Sequence, residues 1–211
     1  WLTNFWRAAE TLPEGAPRVD LIHAAGANGA PRKRDLLRVV QPDAPFLVDS
    51  IMGELADEGY SVRAMFHPVI EVTRDEAGRR TATGQPRAES MILVFLDPVG
   101  EDRVGPLLDG VRATLADVHA AVDDFEAMTG LMRRTIVELE AGGVRGDPEA
   151  FAEELAFLRW LSADRFVFLG ARVYEYPGTP AGGYAPEEAL FHAEERLGGL
   201  RIPDRAVLRR E

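Results

Sequence analysis

The sequence predicts an α+β fold in which two helices cover one face of an antiparallel sheet. Apolar residues recur at helical spacing over 46–58 and again over 104–115. The runs at 36–40 and 91–96 are apolar on both faces, as in strands at the centre of a sheet. With right-handed crossovers, the chain order β-α-β-β-α-β favours a ferredoxin-like sandwich.

The first half of this core has local signals for its boundaries. Strand 36–40 precedes Pro42, which favours an end to regular pairing. Helix 46–58 is followed by Gly59, which suits the left-handed residue that commonly ends a helix. The segment 62–73 is rich in β-forming residues and predicts a strand.

The second half begins with a turn at 75–78, whose sequence is Asp-Glu-Ala-Gly, and a polar loop at 79–87. After strand 91–96 and the second helix, Val118, Ala120 and Val122 alternate with less apolar residues. This alternation predicts a short edge strand, which would complete the order β-α-β-β-α-β.

The flanking segments differ in character from the core. We expect a short amphipathic helix over 1–10, and then loop over 11–34 with a short strand at 19–22. Beyond the core, two helical stripes predict helices over 124–141 and 148–162, the second capped by Asp147 with proline at the first helical position.

Residues 166–176 then predict a strand and 177–186 a loop. The predicted division is an N-terminal helix and loop, the sandwich, a helical connector and the beginning of a further β-containing domain. Their bounds are 1–34, 35–123, 124–163 and 164–211.

Composition excludes several classes of function. The 211 residues include no cysteine, so no disulfide, cysteine zinc site or thiol nucleophile is possible. The net charge of −11 disfavours nucleic-acid binding. No apolar run is long enough to span a membrane, and the start lacks the pattern of a signal peptide. We expect a cytoplasmic protein whose two ends are cuts in a longer chain.

Four motifs in order carry a resemblance to a known family. They are QPDAPFLVDSI at 41–51, FHPVIEVTRDEAG at 66–78, ESMILVFLD at 89–97 and FLRWLSADRFVFLG at 157–170. Together they resemble the N-terminal region of the large bacterial NAD-dependent glutamate dehydrogenases, over roughly 35–176. The resemblance implies that the sandwich is an ACT-type domain, followed by a helical connection and the start of an α/β or PAS-like segment.

The resemblance also implies a function. The parent enzyme would convert L-glutamate, NAD and water to 2-oxoglutarate, ammonia and NADH, with its catalytic residues downstream of this chain. This region would hold no cofactor and would serve regulation or assembly within a homo-oligomer. Its partners would be other domains and subunits of the enzyme, with an amino acid as a possible effector. Two alternatives stay open: a free-standing ACT-type amino-acid sensor, and a structural interaction module.

The residues themselves favour no catalytic or metal site. Lys33 is the only lysine and lies in a polar segment, Arg32-Lys33-Arg34, without a surrounding strand–helix pocket. The glycine loop at 26–29 lacks dinucleotide-binding spacing. Four histidines, at positions 23, 67, 119 and 192, are scattered, and we interpret His67 as a packed or edge residue. Asp123-Asp124 is expected to cap the helix that follows it.

One candidate effector or interface loop remains, after the first core strand. In ACT domains this loop and the first helical turn line a small-molecule pocket, where backbone N–H groups suit a carboxylate. The corresponding residues are Asp43, Ala44, Pro45, Phe46 and Leu47. Many amino-acid-binding members have glycine where Phe46 stands, so we expect the phenyl ring to pack into that space.

Overall fold

A computed structural model describes most of the chain, which divides into two compact units, residues 1–118 and 119–211. The described residues are 6–7, 9–13, 16–23, 33–142, 147–163, 166–175 and 192–201.

The first unit contains one antiparallel sheet and two helices. The strands are β1 (Arg18–His23), β2 (Asp35–Pro42), β3 (Val62–Phe66), β4 (Val69–Val72) and β5 (Arg87–Leu96). The helices are α1 (Leu47–Asp57) and α2 (Glu101–Asp123), whose last five residues belong to the second unit. The sheet order is β1-β2-β5-β3, with β4 also paired to β5, and every pairing is antiparallel. The predicted central strands, β2 and β5, therefore lie at the centre.

The predicted edge strand at 118–122 is wrong, because these residues lie within α2. Val111, Leu115 and Val118 are buried at helical spacing, and this longer period prevails over a short alternation. The position beside β2 is taken by β1, which confirms the short strand predicted at 19–22. The sheet thus has the ferredoxin-like neighbours, but its outer strand comes from the N-terminal side.

One face of the sheet is the helix face. Leu47, Ile51 and Leu55 form the buried stripe of α1. Burial of each such large side chain contributes about 1.5–3 kcal/mol before entropy is counted. The Thr114 hydroxyl donates to Glu54 Oε2 at 3.0 Å and joins α2 to α1. The predicted helix 46–58 is confirmed, and Gly59 follows it with φ 71°.

The opposite face, here called the open face, is partly covered by the segment 9–12. Ala9 and Leu12 are buried in one cluster with four residues of the central strands. Those four residues are Leu36, Val40, Met91 and Leu93. The segment 9–12, predicted as the end of a helix and the start of a loop, therefore completes the core on this face.

A buried ion pair holds this segment in place. Arg74 donates from Nε and Nη2 to the Glu89 carboxylate at 2.5 and 2.7 Å, and the two side chains are 3% and 0% exposed. The same guanidinium donates to the carbonyls of Ala9, Glu10 and Gly78 at 3.0, 3.2 and 2.7 Å. Because the guanidinium is planar and rigid, it fixes two chain segments, residues 9–10 and the turn at Gly78, against β5 at once.

The segment 62–73 forms two strands rather than one. His67 and Pro68 interrupt it, since proline has no N–H to donate to the ladder, and Pro68 O accepts instead from Met91 N at 3.0 Å. The turn predicted at 75–78 is confirmed, with Gly78 N donating to Asp75 O at 2.9 Å.

The second unit contains α3 (Phe125–Gly142), α4 (Pro148–Leu161) and a hairpin of β6 (Gly170–Glu175) and β7 (His192–Gly198). Asp147 caps α4 as predicted, accepting from Glu149 N at 3.1 Å. The strand predicted at 166–176 begins only at Gly170.

Asp124 precedes α3, but its carboxylate accepts elsewhere, from Gly198 N at 2.6 Å and from Arg201. The Asp124 carboxylate therefore binds the β6–β7 hairpin and the residues after it, instead of capping α3 as expected from Asp123-Asp124. The loop predicted at 177–186 lies outside the described residues, and so does much of the predicted helix 1–10. The predicted four-part domain division stays a prediction.

Within the described ranges, no helix is long and apolar enough to cross a membrane. The same residues contain no group of three or more His, Asp or Glu side chains arranged to hold a metal ion.

Gly59 and Gly78 have the same left-handed backbone, but only Gly78 is in close contact with another segment. Substitutions at the two positions therefore distinguish the cost of backbone strain from the cost of a steric clash. A Cβ at Gly78 would lie 2.0 Å from the Leu12 carbonyl oxygen, whereas one at Gly59 would meet no atom within 4 Å. We expect Gly59→Ala to cost about 1–2 kcal/mol from strain alone. Gly78→Ala should cost at least about 3 kcal/mol, because it also displaces the segment 9–12. Urea unfolding of both variants measures this, and equal losses would refute the contact.

Candidate functional site: the loop between β2 and α1

The candidate loop lies where β2 ends and α1 begins. Asp43 N donates to Ala88 O at 2.9 Å, which extends the pairing of β2 with β5 by one residue. Leu47 is buried at the start of α1, while Asp43, Pro45 and Phe46 are exposed. The loop is thus anchored at both ends and accessible between them.

Phe46 has a backbone conformation that favours glycine. Its φ and ψ are 68° and 0°, and among the described residues it is the only non-glycine with positive φ. An L-residue in this region is strained by about 1–2 kcal/mol. The ring is 48% exposed, so the prediction that it packs into the glycine space is wrong for the isolated chain. Phe46 thus has the left-handed backbone that a glycine adopts easily, and its phenyl ring lies at the surface.

Hydrogen bonds among three polar side chains hold the loop against the sheet. Ser90 Oγ donates to Asp43 Oδ1 at 2.5 Å, and His67 Nε2 lies 2.8 Å from Ser90 Oγ. A serine hydroxyl has one hydrogen, and this one is directed at Asp43, so His67 Nε2 must be the donor to Ser90. Ser90 is fully buried. The position of the Asp43 carboxylate therefore depends on two side chains from β5 and the β3–β4 connection.

The first turn of α1 offers hydrogen-bond donors next to this carboxylate. No side chain among the described residues caps the helix, and at its start Ser50 N donates to Phe46 O at 3.0 Å. The preceding N–H groups and the helix dipole favour a carboxylate, although Asp49 already places one in this turn. Donors on one side and Asp43 on the other match the carboxylate and ammonium groups of an α-amino acid.

Other residues weighed from the sequence do not join this loop. Lys33 lies before β2, at the opposite end of that strand from Asp43. His23 Nδ1 lies 3.1 Å from Asp35 Oδ1, beside the start of β2. The glycine loop 26–29 lies outside the described residues. Of the two histidines described in the first unit, His67 reaches the loop and His23 does not, and the bond of His67 to Ser90 gives it a specific role.

Sequence reasoning missed Ser90 and the bond that His67 makes to it. The available signal was a serine after Glu89 in an otherwise apolar central strand, because a buried hydroxyl requires a partner. The partner itself could not be identified, since Asp43 is 47 residues away and reaches Ser90 only through the β2–β5 register.

Comparison with known proteins bears on the first 110 residues and on most of the chain. Residues 1–110 match the family model described as glutamate dehydrogenase, ACT1 domain. The NAD-specific glutamate dehydrogenase of Halomonas elongata is 32% identical over 186 residues, which cover 82% of this chain and 11% of that protein.

The enzyme of the same name from Pseudomonas aeruginosa is 28% identical over 208 residues, covering 93% of this chain and 12% of that protein. The chain thus spans about a tenth of the length of these curated relatives. The resemblance stated from the four motifs is confirmed by these matches.

The strain at Phe46 predicts an unusual order of stability. We expect Phe46→Gly to be more stable than Phe46→Ala by about 1 kcal/mol, because alanine keeps the left-handed strain and glycine removes it. Val69, an exposed residue of β4, provides the control, since there glycine should be less stable than alanine. Thermal unfolding of the four variants measures both differences. If glycine and alanine have the same order of stability at both positions, the left-handed backbone assigned to Phe46 is contradicted.

Proposed function

The chain belongs to the NAD-specific glutamate dehydrogenase family, as a region containing its ACT1 domain, and we propose that it is a non-catalytic regulatory and assembly region of such an enzyme. The parent would oxidise L-glutamate to 2-oxoglutarate and ammonia with NAD as acceptor, in the cytoplasm, through a catalytic domain elsewhere in the polypeptide. The relatives' names and the match to the ACT1 domain support this proposal.

The loop geometry supports the regulatory part. An amino-acid effector would place its carboxylate at the first turn of α1 and its ammonium group at Asp43. The ring of Phe46, exposed beside both, would contact the effector side chain. An effector bound between β2 and α1 would stabilise the conformation of loop and sheet that binds it most tightly. A regulator can shift a protein between two conformations only if its affinities for them differ.

The assembly part rests on surface chemistry. Several large apolar side chains remain exposed among the described residues, which is typical of surfaces that meet other domains or subunits. Phe157, Trp160 and Phe166 form one such cluster in the second unit, with successive ring centroids 5.9 and 5.0 Å apart. Other domains and subunits of a homo-oligomeric enzyme would be the partners.

Titration of the 211-residue chain with the common α-amino acids tests the regulatory part. We expect at least one to bind, with Ser90→Ala weakening binding about tenfold, because the loss of one buried hydrogen bond releases Asp43. Ser61→Ala, at an exposed serine before β3, is the matched control and should bind normally. If no amino acid binds to the folded chain, the regulatory part fails and an interaction module remains.

The same preparation tests the non-catalytic part. With glutamate and NAD supplied, NADH absorbance should not rise. Steady NADH formation by this chain would contradict the assignment of catalysis to another part of the polypeptide.

A further inference from the structure

A cleft lies on the open face at the end of the sheet away from the candidate loop. Its volume is about 680 Å³, and its lining includes Lys33, Arg34, Arg63, Phe66, Phe95 and Asp97. Lys33 and Arg34 precede β2 and the candidate loop follows it. Eight residues of β2, at about 3.3 Å each, therefore separate these two cations from the loop by about 25 Å. Phe66 lies nearer the middle of the sheet, since both Phe66 and Arg38 pair with Leu93.

A β-bulge brings the two aromatic rings of the cleft onto one face. The register of β3 on β5 shifts between Val62 and Ala64, so that Ala64 lies opposite Phe95 and Phe66 opposite Leu93. Phe66 thereby joins the side of the sheet that carries Leu93 and Phe95. The rings of Phe66 and Phe95 meet edge to face, with centroids 6.1 Å apart.

Phe66 leaves a flat apolar surface uncovered. Its side chain is 61% exposed, although Leu93 beside it is buried under the segment 9–12. Phe95 is only partly buried against the same cluster. The cover provided by Ala9 and Leu12 therefore stops before the aromatic end of the face.

The cleft is cationic in a chain whose net charge is −11. Lys33 and Arg34 are exposed and make no ion pair with any other residue within the described ranges. Arg63 is neutralised, since it donates to both oxygens of Asp97 at 2.7 and 2.6 Å. These hydrogen bonds hold the pKa of the Asp97 carboxyl below its usual value. The excess positive charge at neutral pH thus comes from Lys33 and Arg34.

We propose that this cleft binds a nucleoside phosphate, with the base on Phe66 and the phosphates on Lys33 and Arg34. Each part of this ligand class has a counterpart in the cleft. A nucleobase stacks on an exposed aromatic ring whatever its identity, and phosphate is the anion that Lys and Arg bind through charge-assisted hydrogen bonds. The volume lies within the range of small-molecule sites. The proposal is independent of the amino-acid effector, because it uses none of the same residues.

An acidic polypeptide is the competing occupant, because it also combines negative charge with apolar side chains. The observations favour the smaller ligand. The most exposed phenyl surface is the single ring of Phe66, the partly buried ring of Phe95 meets it edge to face, and both lie in the same cleft as the two cations. A docked polypeptide segment normally covers a more extended apolar surface.

Isothermal titration of the 211-residue chain with ADP, adenosine and pyrophosphate tests the proposal. ADP should bind more tightly than adenosine or pyrophosphate, and added salt should weaken its binding. Phe66→Ala and Phe66→Leu should each weaken ADP binding about tenfold, since leucine keeps apolarity but loses the flat ring. Lys33→Ala/Arg34→Ala should weaken it at least as much. Arg133→Ala/Arg134→Ala, on exposed positions of α3, removes the same charge as a control.

Three results would overturn the proposal, provided that circular dichroism shows each variant folded. The first is a lack of ADP binding, including the case in which a poly-glutamate peptide binds in its place. The second is equal affinity for ADP and pyrophosphate, which would indicate an anion site without base recognition. The third is ADP binding that survives Phe66→Leu, because the base would then not stack on that ring.

Discussion

The buried contact between Arg74 and Glu89 is the constraint on which the first unit depends. Neither charge could be buried alone at this site without a cost of several kcal/mol, so each is retained only with the other in place. The remaining donors of Arg74 are directed at carbonyls of the segment 9–12 and of the 75–78 turn. One side chain therefore closes the open face of the sheet over Leu36, Val40 and Met91.

This closure covers only part of the open face, and both proposed sites lie outside it. At one end of β2, the Ser90–Asp43 bond and the left-handed Phe46 shape the start of α1. From the other end, a cleft lined by Lys33 and Arg34 extends to Phe66, which the bulge in β3 places on the same face. The proposed regulatory role needs accessible surfaces on a rigid support, and the sheet provides such a support for both proposed sites.

Periodicity predicted the two helices and the two central strands, because their buried stripes are long and regular. It failed at 118–122, where Val118 and Val122, two of the three alternating residues, also fit the helical stripe of Val111 and Leu115. It also could not place the outer strand β1, because its pairing with β2 is a tertiary contact that a single strand pattern does not specify. The candidate loop was located from the resemblance, but the backbone of Phe46 and the roles of Ser90 and His67 arise from tertiary contacts.

Hydrogen exchange of the Arg74→Met variant tests the role of the buried pair most directly. The account predicts that amides of the segment 9–12 and the 75–78 turn, including the Leu12 N–H bonded to Gly78 O, lose protection first. Amides of β2 and α1 should remain protected until global unfolding, which should be easier by about 3–5 kcal/mol. Unchanged protection at Leu12, or equal loss throughout the unit, would contradict the claim that Arg74 holds this segment on the sheet.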